Sequence, residues 1–69
     1  MIKDLGPYIK SRRKNIRLTQ RQLAYKVYVT VTTVSRWETG TSQPDWKSFV
    51  LLCDVLGMQI KDFTESEGK

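Results

Sequence analysis

Thr32, Thr33, Ser35 and Arg36 are a run of short hydroxyls and one forked cation, interrupted only by Val34. These groups make hydrogen bonds rather than break covalent ones. A guanidinium presents several donors in a rigid plane, and a hydroxyl both donates and accepts. Coiled into a helix over 31–38, the segment puts Val34 and Trp37 on one face at i,i+3 and the polar residues on the others. Such a rod buries one side in its own domain and offers the other to a polar surface.

Catalytic chemistry has little to work with. The 69 residues include no histidine and one cysteine, Cys53. A Cys/His zinc site within one chain and an internal disulfide are thereby excluded. The sequence has no nucleophile–base arrangement, no glycine-rich phosphate loop and no metal-ligand cluster. No catalytic residue, metal or cofactor is expected, and the chain reads as a non-enzyme. Cys53 falls on an apolar helix face and reads as an inert buried side chain. A single cysteine fits a reducing interior such as bacterial cytosol. Met1–Asp4 lacks the apolar run of a signal peptide. The apolar run Phe49–Cys53 is far shorter than the roughly 20 residues a membrane span needs.

The net charge of +5 is unevenly spread. Residues 1–26 hold eight Lys/Arg against one Asp, and residues 27–69 hold four against six Asp/Glu. A basic end favours a polyanion, because each neutralised phosphate releases a counterion. A solvated basic face that only aids solubility has the same composition. Lys10, Arg12 and Lys14 read as such a face.

Positioning these groups falls to four or five short helices. The length suits a single domain over 1–69, with a core at about 5–63 and a frayed tail at 64–69. The first helix is expected over about Gly6–Asn15, with Leu5, Ile9 and Ile16 as its apolar stripe. Arg13 lies on that stripe and needs a partner. Thr19-Gln20-Arg21-Gln22 is a capping box, and Leu18 with Leu23 suits a hydrophobic staple. This second helix ends near Val27, with Leu23, Ala24 and Val27 inside. Tyr28-Val29-Thr30 is a joint, and Thr30 caps a third helix over about Val31–Glu38. Gly40 ends it through positive φ. Thr41–Pro44 is a polar loop. Asp45 caps a fourth helix running to Leu56, with Trp46, Phe49, Val50, Cys53 and Leu56 as its core face. Gly57 ends it, and a last turn over about Gln59–Phe63 is expected to bury Ile60 and Phe63. Trp37 and Trp46 both read as core. Tyr8, Tyr25 and Tyr28 suit an exposed aromatic patch or ordinary packing.

A short helix, a three-residue joint and a second short helix make a helix-turn-helix, whose second helix suits a DNA major groove about 12 Å wide. The order Leu5-Gly6, Ile9, Arg13, Leu18-Thr19-Gln20, Leu23-Ala24, Val34-Ser35-Arg36-Trp37-Glu38, Gly40, Pro44, Leu56-Gly57, Ile60 and Phe63 resembles the Cro/C1-type (XRE-family) helix-turn-helix domain of phage repressors and bacterial regulators. The resemblance implies an all-α, lambda-repressor-like domain. It implies base reading by Val31, Thr32, Thr33, Ser35 and Arg36, with Arg36 able to pair bidentately with guanine. It implies phosphate contacts from Gln20, Arg21, Thr30, Thr41 and Ser42, with Gln43 along the backbone. It also implies a structural ion pair between Arg13 and Glu38.

Two positions depart from the family pattern. Tyr28 and Arg17 stand where many relatives carry glycine. Either the joint avoids positive φ, or Tyr28 is kept there for a contact with a partner. Arg17 removes an easy helix stop and is free to reach a phosphate.

The family resemblance further implies a cytoplasmic, nucleoid-associated regulator, bacterial or phage-encoded. It would be a repressor that binds a palindromic or pseudo-palindromic operator in double-stranded DNA as a homodimer. The dimer surface is expected in the C-terminal third, around Met58–Phe63. The alternative is an antirepressor, modulator or antitoxin-like protein that acts by binding a partner regulator protein.

Overall fold

A computed structural model describes residues 5–59. They form four helices and no strand: α1 Leu5–Asn15, α2 Gln20–Lys26, α3 Val31–Thr39 and α4 Trp46–Leu56. α3 packs against both α1 and α2, and α1 also meets α4.

Each boundary has a local cause. Thr19 caps α2 by accepting from the Gln22 N–H, and the Gln22 side chain accepts in return from the Thr19 N–H at 2.8 Å. Both orphan donors at that end are thus satisfied reciprocally. Thr30 caps α3 through the Thr33 N–H, and Asp45 caps α4 through the Ser48 N–H. Gly40 and Gly57 end α3 and α4 at φ 83° and 69°, in the left-handed region that glycine enters freely. Arg17 and Tyr28 occupy the same region, each at φ 62°. The joint therefore does not avoid positive φ, and the α1–α2 turn closes without glycine.

The core holds Leu5, Ile9, Leu23, Ala24, Val27, Val34, Trp37, Phe49, Leu52, Cys53, Leu56 and Met58. Leu18 packs against it from the turn before α2, and Tyr8 from α1. Gly6 lets α1 and α3 approach closely, since a Cβ there would lie 2.6 Å from the Trp37 carbonyl oxygen.

Several expectations are corrected. Ile16 is 41% exposed, because α1 stops at Asn15 and the turn carries Ile16 off the helical stripe. Trp46 and Val50 are exposed; α4 is rotated so that Phe49, Leu52, Cys53 and Leu56 face inward. Leu52, fully buried, takes a place the spacing argument gave to Val50. Arg12 is not a solvated cation: its Nε and Nη2 both donate to the Leu56 carbonyl, at 3.1 and 2.9 Å. Met58 is buried in the core rather than exposed as expected. Gln59 is exposed and non-helical, while the rest of the expected last turn and the tail lie outside the described residues.

Candidate nucleic-acid interface

The rod proposed from the sequence is α3. Val34, Trp37 and Glu38 are buried, while Val31, Thr32 and Arg36 are exposed and Thr33 and Ser35 half-buried. Among the described residues, the side chains of Thr32 and Arg36 make no hydrogen bond or ion pair. Their donors are uncommitted and face outward. Val31, at the first helical position, leaves 39% of its surface in water.

Thr33 is placed differently. Its hydroxyl lies 2.9 Å from that of Thr30, which also accepts from the Thr33 N–H. Two hydroxyls share one proton position, so at most one of the pair keeps a free donor for an outside group. Thr41 is more constrained still. The Thr39 hydroxyl lies 3.2 Å from the Arg36 carbonyl, to which it can donate, and 3.0 Å from the Thr41 hydroxyl, a contact in which either hydroxyl can be the donor. The Thr41 N–H donates to the Arg36 carbonyl as well. The Thr41 hydroxyl is therefore paired with that of Thr39, and Thr41 is exposed. The Ser42 N–H is likewise directed at Arg36, but its hydroxyl is uncommitted.

α3 is held by a buried polar cluster. Arg13 Nε donates to Glu38 Oε2 at 2.6 Å and Arg13 Nη2 to Oε1 at 3.2 Å, a forked pair joining α1 to α3. Arg13 Nη1 donates to the Leu18 carbonyl at 2.7 Å, tying in the turn before α2. Gln20 Nε2 donates to Glu38 Oε1 at 3.0 Å. The cluster therefore joins the first residue of α2 to the last full turn of α3. Gln20 retains one amide N–H and its carbonyl for an outside partner. Sequence spacing did not reveal the Gln20–Glu38 and Arg13–Leu18 contacts, because both depend on how α1 and α2 lean on α3. Among the described residues, no buried side-chain nitrogen or oxygen lacks a partner.

Arg17 and Arg21 are exposed and unpaired among the described residues. The structure brings Gln20 to Glu38, Thr30 to Thr33 and Thr41 to Thr39; among the described residues no hydrogen bond or ion pair links the Arg17, Arg21 or Ser42 side chains to them. Asp45 has a displaced ionisation. The Ser48 N–H, then the Ser48 hydroxyl, hold its carboxyl below the ordinary value; desolvation opposes them, and the nearby Lys47 adds a lesser pull downward. No group of His, Cys, Asp and Glu that could hold a metal occurs among the described residues. No helix among them is long and apolar enough to cross a membrane.

The fold agrees with that of a solved protein, and the sequence matches known regulators. The solved P22 c2 repressor, in complex with a synthetic operator, superimposes with a TM-score of 0.82 over 88% of this chain and 92% of that one. At 24% identity that likeness speaks for the fold. The transcriptional regulator DicA of Escherichia coli K12 is 42% identical over 52 residues, 75% of this chain and 38% of DicA. The transcriptional activator BcrR of Enterococcus faecalis is 34% identical over 50 residues, 72% of this chain and 24% of BcrR. The chain thus spans well under half the length of either curated relative. The family model for the helix-turn-helix matches residues 9–63, from the buried Ile9 of α1 past the end of α4. With the capped α2, the glycine-stopped α3 and the Arg13–Glu38 pair all inside that span, the chain belongs to the Cro/C1-type helix-turn-helix family.

Proposed function

We propose that this chain is a sequence-specific DNA-binding transcriptional regulator, a repressor that lays α3 in the major groove of double-stranded DNA. The observation that carries this reading is the two-sidedness of α3: Trp37 and Val34 are buried while Arg36 and Thr32 stand free in solvent. Arg36 pairs with a guanine edge, and Val31 with the Thr32 methyl meets thymine methyls. Ser35 and Thr33, both half-buried, contribute at the margin. Arg17, Gln20, Arg21, Thr30 and Ser42 hold the phosphates. Thr41, whose hydroxyl pairs with that of Thr39, joins them. The protein acts in the cytoplasm, as a homodimer through its C-terminal third. Its two recognition helices sit about 34 Å apart on a palindromic or pseudo-palindromic operator, and it represses by excluding polymerase.

Selection of bound sequences from a random DNA pool tests the reading. A two-fold motif should emerge, and Arg36→Ala should lose about 1–3 kcal/mol of specific binding without unfolding. Affinity should fall steeply as salt rises toward physiological values. A pool that yields no motif, or binding indifferent to Arg36, would refute it.

A second reading rests on Tyr25 and Tyr28, which are 85% and 84% exposed. They suit a partner regulator protein, as in an antirepressor or antitoxin-like role. Under that reading DNA binding is negligible from the start.

A further inference from the structure

We infer that the joint between α2 and α3, with the beginning of α4, is a docking surface for an acidic protein segment that carries aromatic or aliphatic side chains. The inference rests on the second reading above only for a protein partner, and it holds whether or not α3 also binds DNA.

Among the described residues six large apolar side chains are exposed, and five of them gather on this surface. Ile16, Tyr25 and Tyr28 line a groove of about 740 Å³ that also reaches Val55 of α4. Tyr28, Trp46 and Val50 line a second groove of about 640 Å³. The two grooves share Tyr28 and Val29, so the apolar surface is continuous through the joint. Single exposed apolar residues need no explanation, but a contiguous patch marks an interaction site. Trp46 is 65% exposed, and its indole rests on Phe49 at 6.0 Å between ring centroids. Tyrosine and tryptophan are enriched among the side chains that anchor protein contacts.

Tyr28 adds an independent observation. It holds φ 62°, a strained conformation for a residue with a side chain, and its ring lies in water, where it adds nothing to the core. Glycine would close the same turn without strain. The ring therefore has its use in a contact outside the domain.

The charges choose the occupant. Lys26 lines the first groove and Lys47 the second, and among the described residues neither lining includes an acidic side chain. Asp45, next to Trp46 in sequence, accepts from the Ser48 N–H at 2.9 Å, and Asp54, next to Val55, lines neither groove. An acidic segment is attracted by both lysines, and a basic one is repelled by both. A second copy that met this surface with its own would set lysines against lysines. Duplex DNA carries one charge per roughly 1.7 Å of axis, which two lysines among valines and aromatic rings do not match. None of the residues assigned above to bases or phosphates lines either groove, so the segment and an operator use different residues.

The test uses the full-length chain and a displayed library of short random peptides. Recovered peptides should be rich in Asp and Glu and should carry aromatic or aliphatic residues. A synthetic peptide of recovered sequence should shift the emission of the exposed Trp46 and move the amide signals of residues 25–29 and 46–51. Tyr28→Gly removes the ring and relieves the strain, so it keeps the fold; it should weaken the peptide on the order of tenfold or more. Lys26→Glu combined with Lys47→Glu should weaken it by a similar factor, and should favour a peptide whose acids are replaced by lysines. The inference is overturned if no peptide is recovered, if the recovered peptides are neutral or basic, or if binding is indifferent to these variants. Amide shifts confined to other residues also overturn it and leave the second reading standing, since the partner then docks elsewhere. Shifts at residues 25–29 and 46–51 that grow with protein concentration without peptide give the surface to a second copy. Displacement of the peptide by random-sequence duplex DNA gives it to nucleic acid, and either result overturns the inference. A motif from the random DNA pool removes the second reading's claim of negligible DNA binding and leaves this surface as it is.

Discussion

Gly6 sits beneath the end of α3 so closely that a Cβ on it would lie 2.6 Å from the Trp37 carbonyl oxygen and 2.7 Å from that of Glu38. Both obstacles are backbone, which cannot swing aside. Gly6→Ala in an open helix would stabilise by about 1 kcal/mol. Here it should instead destabilise by about 1–3 kcal/mol, the usual penalty of overpacking. Urea unfolding measures the sign. A variant as stable as the wild type would mean that α1 and α3 separate easily.

The Arg13–Glu38 pair is nearly sealed from water, with side chains 9% and 2% exposed. Removing one partner strands the other. Arg13→Met or Glu38→Leu should each lose about 3–5 kcal/mol, while the double variant should recover much of that. Glu38→Leu also strips Gln20 of its acceptor. Chemical denaturation of the three variants gives the coupling, and additive losses would show the two residues to be independent.

Tyr28 holds φ 62° while its ring is 84% exposed, so no core packing offsets the backbone strain. Tyr28→Gly should raise stability by about 1 kcal/mol, the left-handed penalty less glycine's extra unfolded-state entropy. Thermal melts read this directly. A lower melting temperature would show that the ring makes a stabilising contact.

Asp45 ionises more readily folded than unfolded, chiefly because the Ser48 N–H donates to it at 2.9 Å. A group with a depressed folded pKa adds stability above its unfolded value and loses it as pH falls through the folded one. Asp45→Asn keeps a capping oxygen without the charge. Its Tm should lie below the wild type's near neutrality, and the gap should close below about pH 4. A gap that stays constant with pH would assign the effect to shape rather than charge.

The caps and stops were legible because they are local: Thr19, Thr30, Asp45, Gly40 and Gly57 act within a turn of their own positions. The inward face of α3 was legible because Val34 and Trp37 fall on one side, while Val31, the helix's other apolar residue, stands at its open first position. α4 was misread because its apolar residues nearly encircle it. Trp46, Phe49, Val50 and Cys53 make as regular a stripe as Phe49, Leu52, Cys53 and Leu56, and only docking against the rest of the domain selects between them. The Arg12–Leu56 bond spans 44 positions and leaves no trace in local spacing. The hydroxyl pairings of Thr33 and Thr41 follow from side-chain geometry, which residue type alone does not specify.

Arg36 carries two duties on separate atoms. Its carbonyl gathers the Thr41 and Ser42 N–H groups and the Thr39 hydroxyl where α3 ends, while its guanidinium makes no such bond among the described residues. Whatever side chain stands there, the carbonyl remains. Under the DNA-binding function proposed above, residue 36 can therefore be exchanged for one with a new target vocabulary while the architecture that displays it stays as it is.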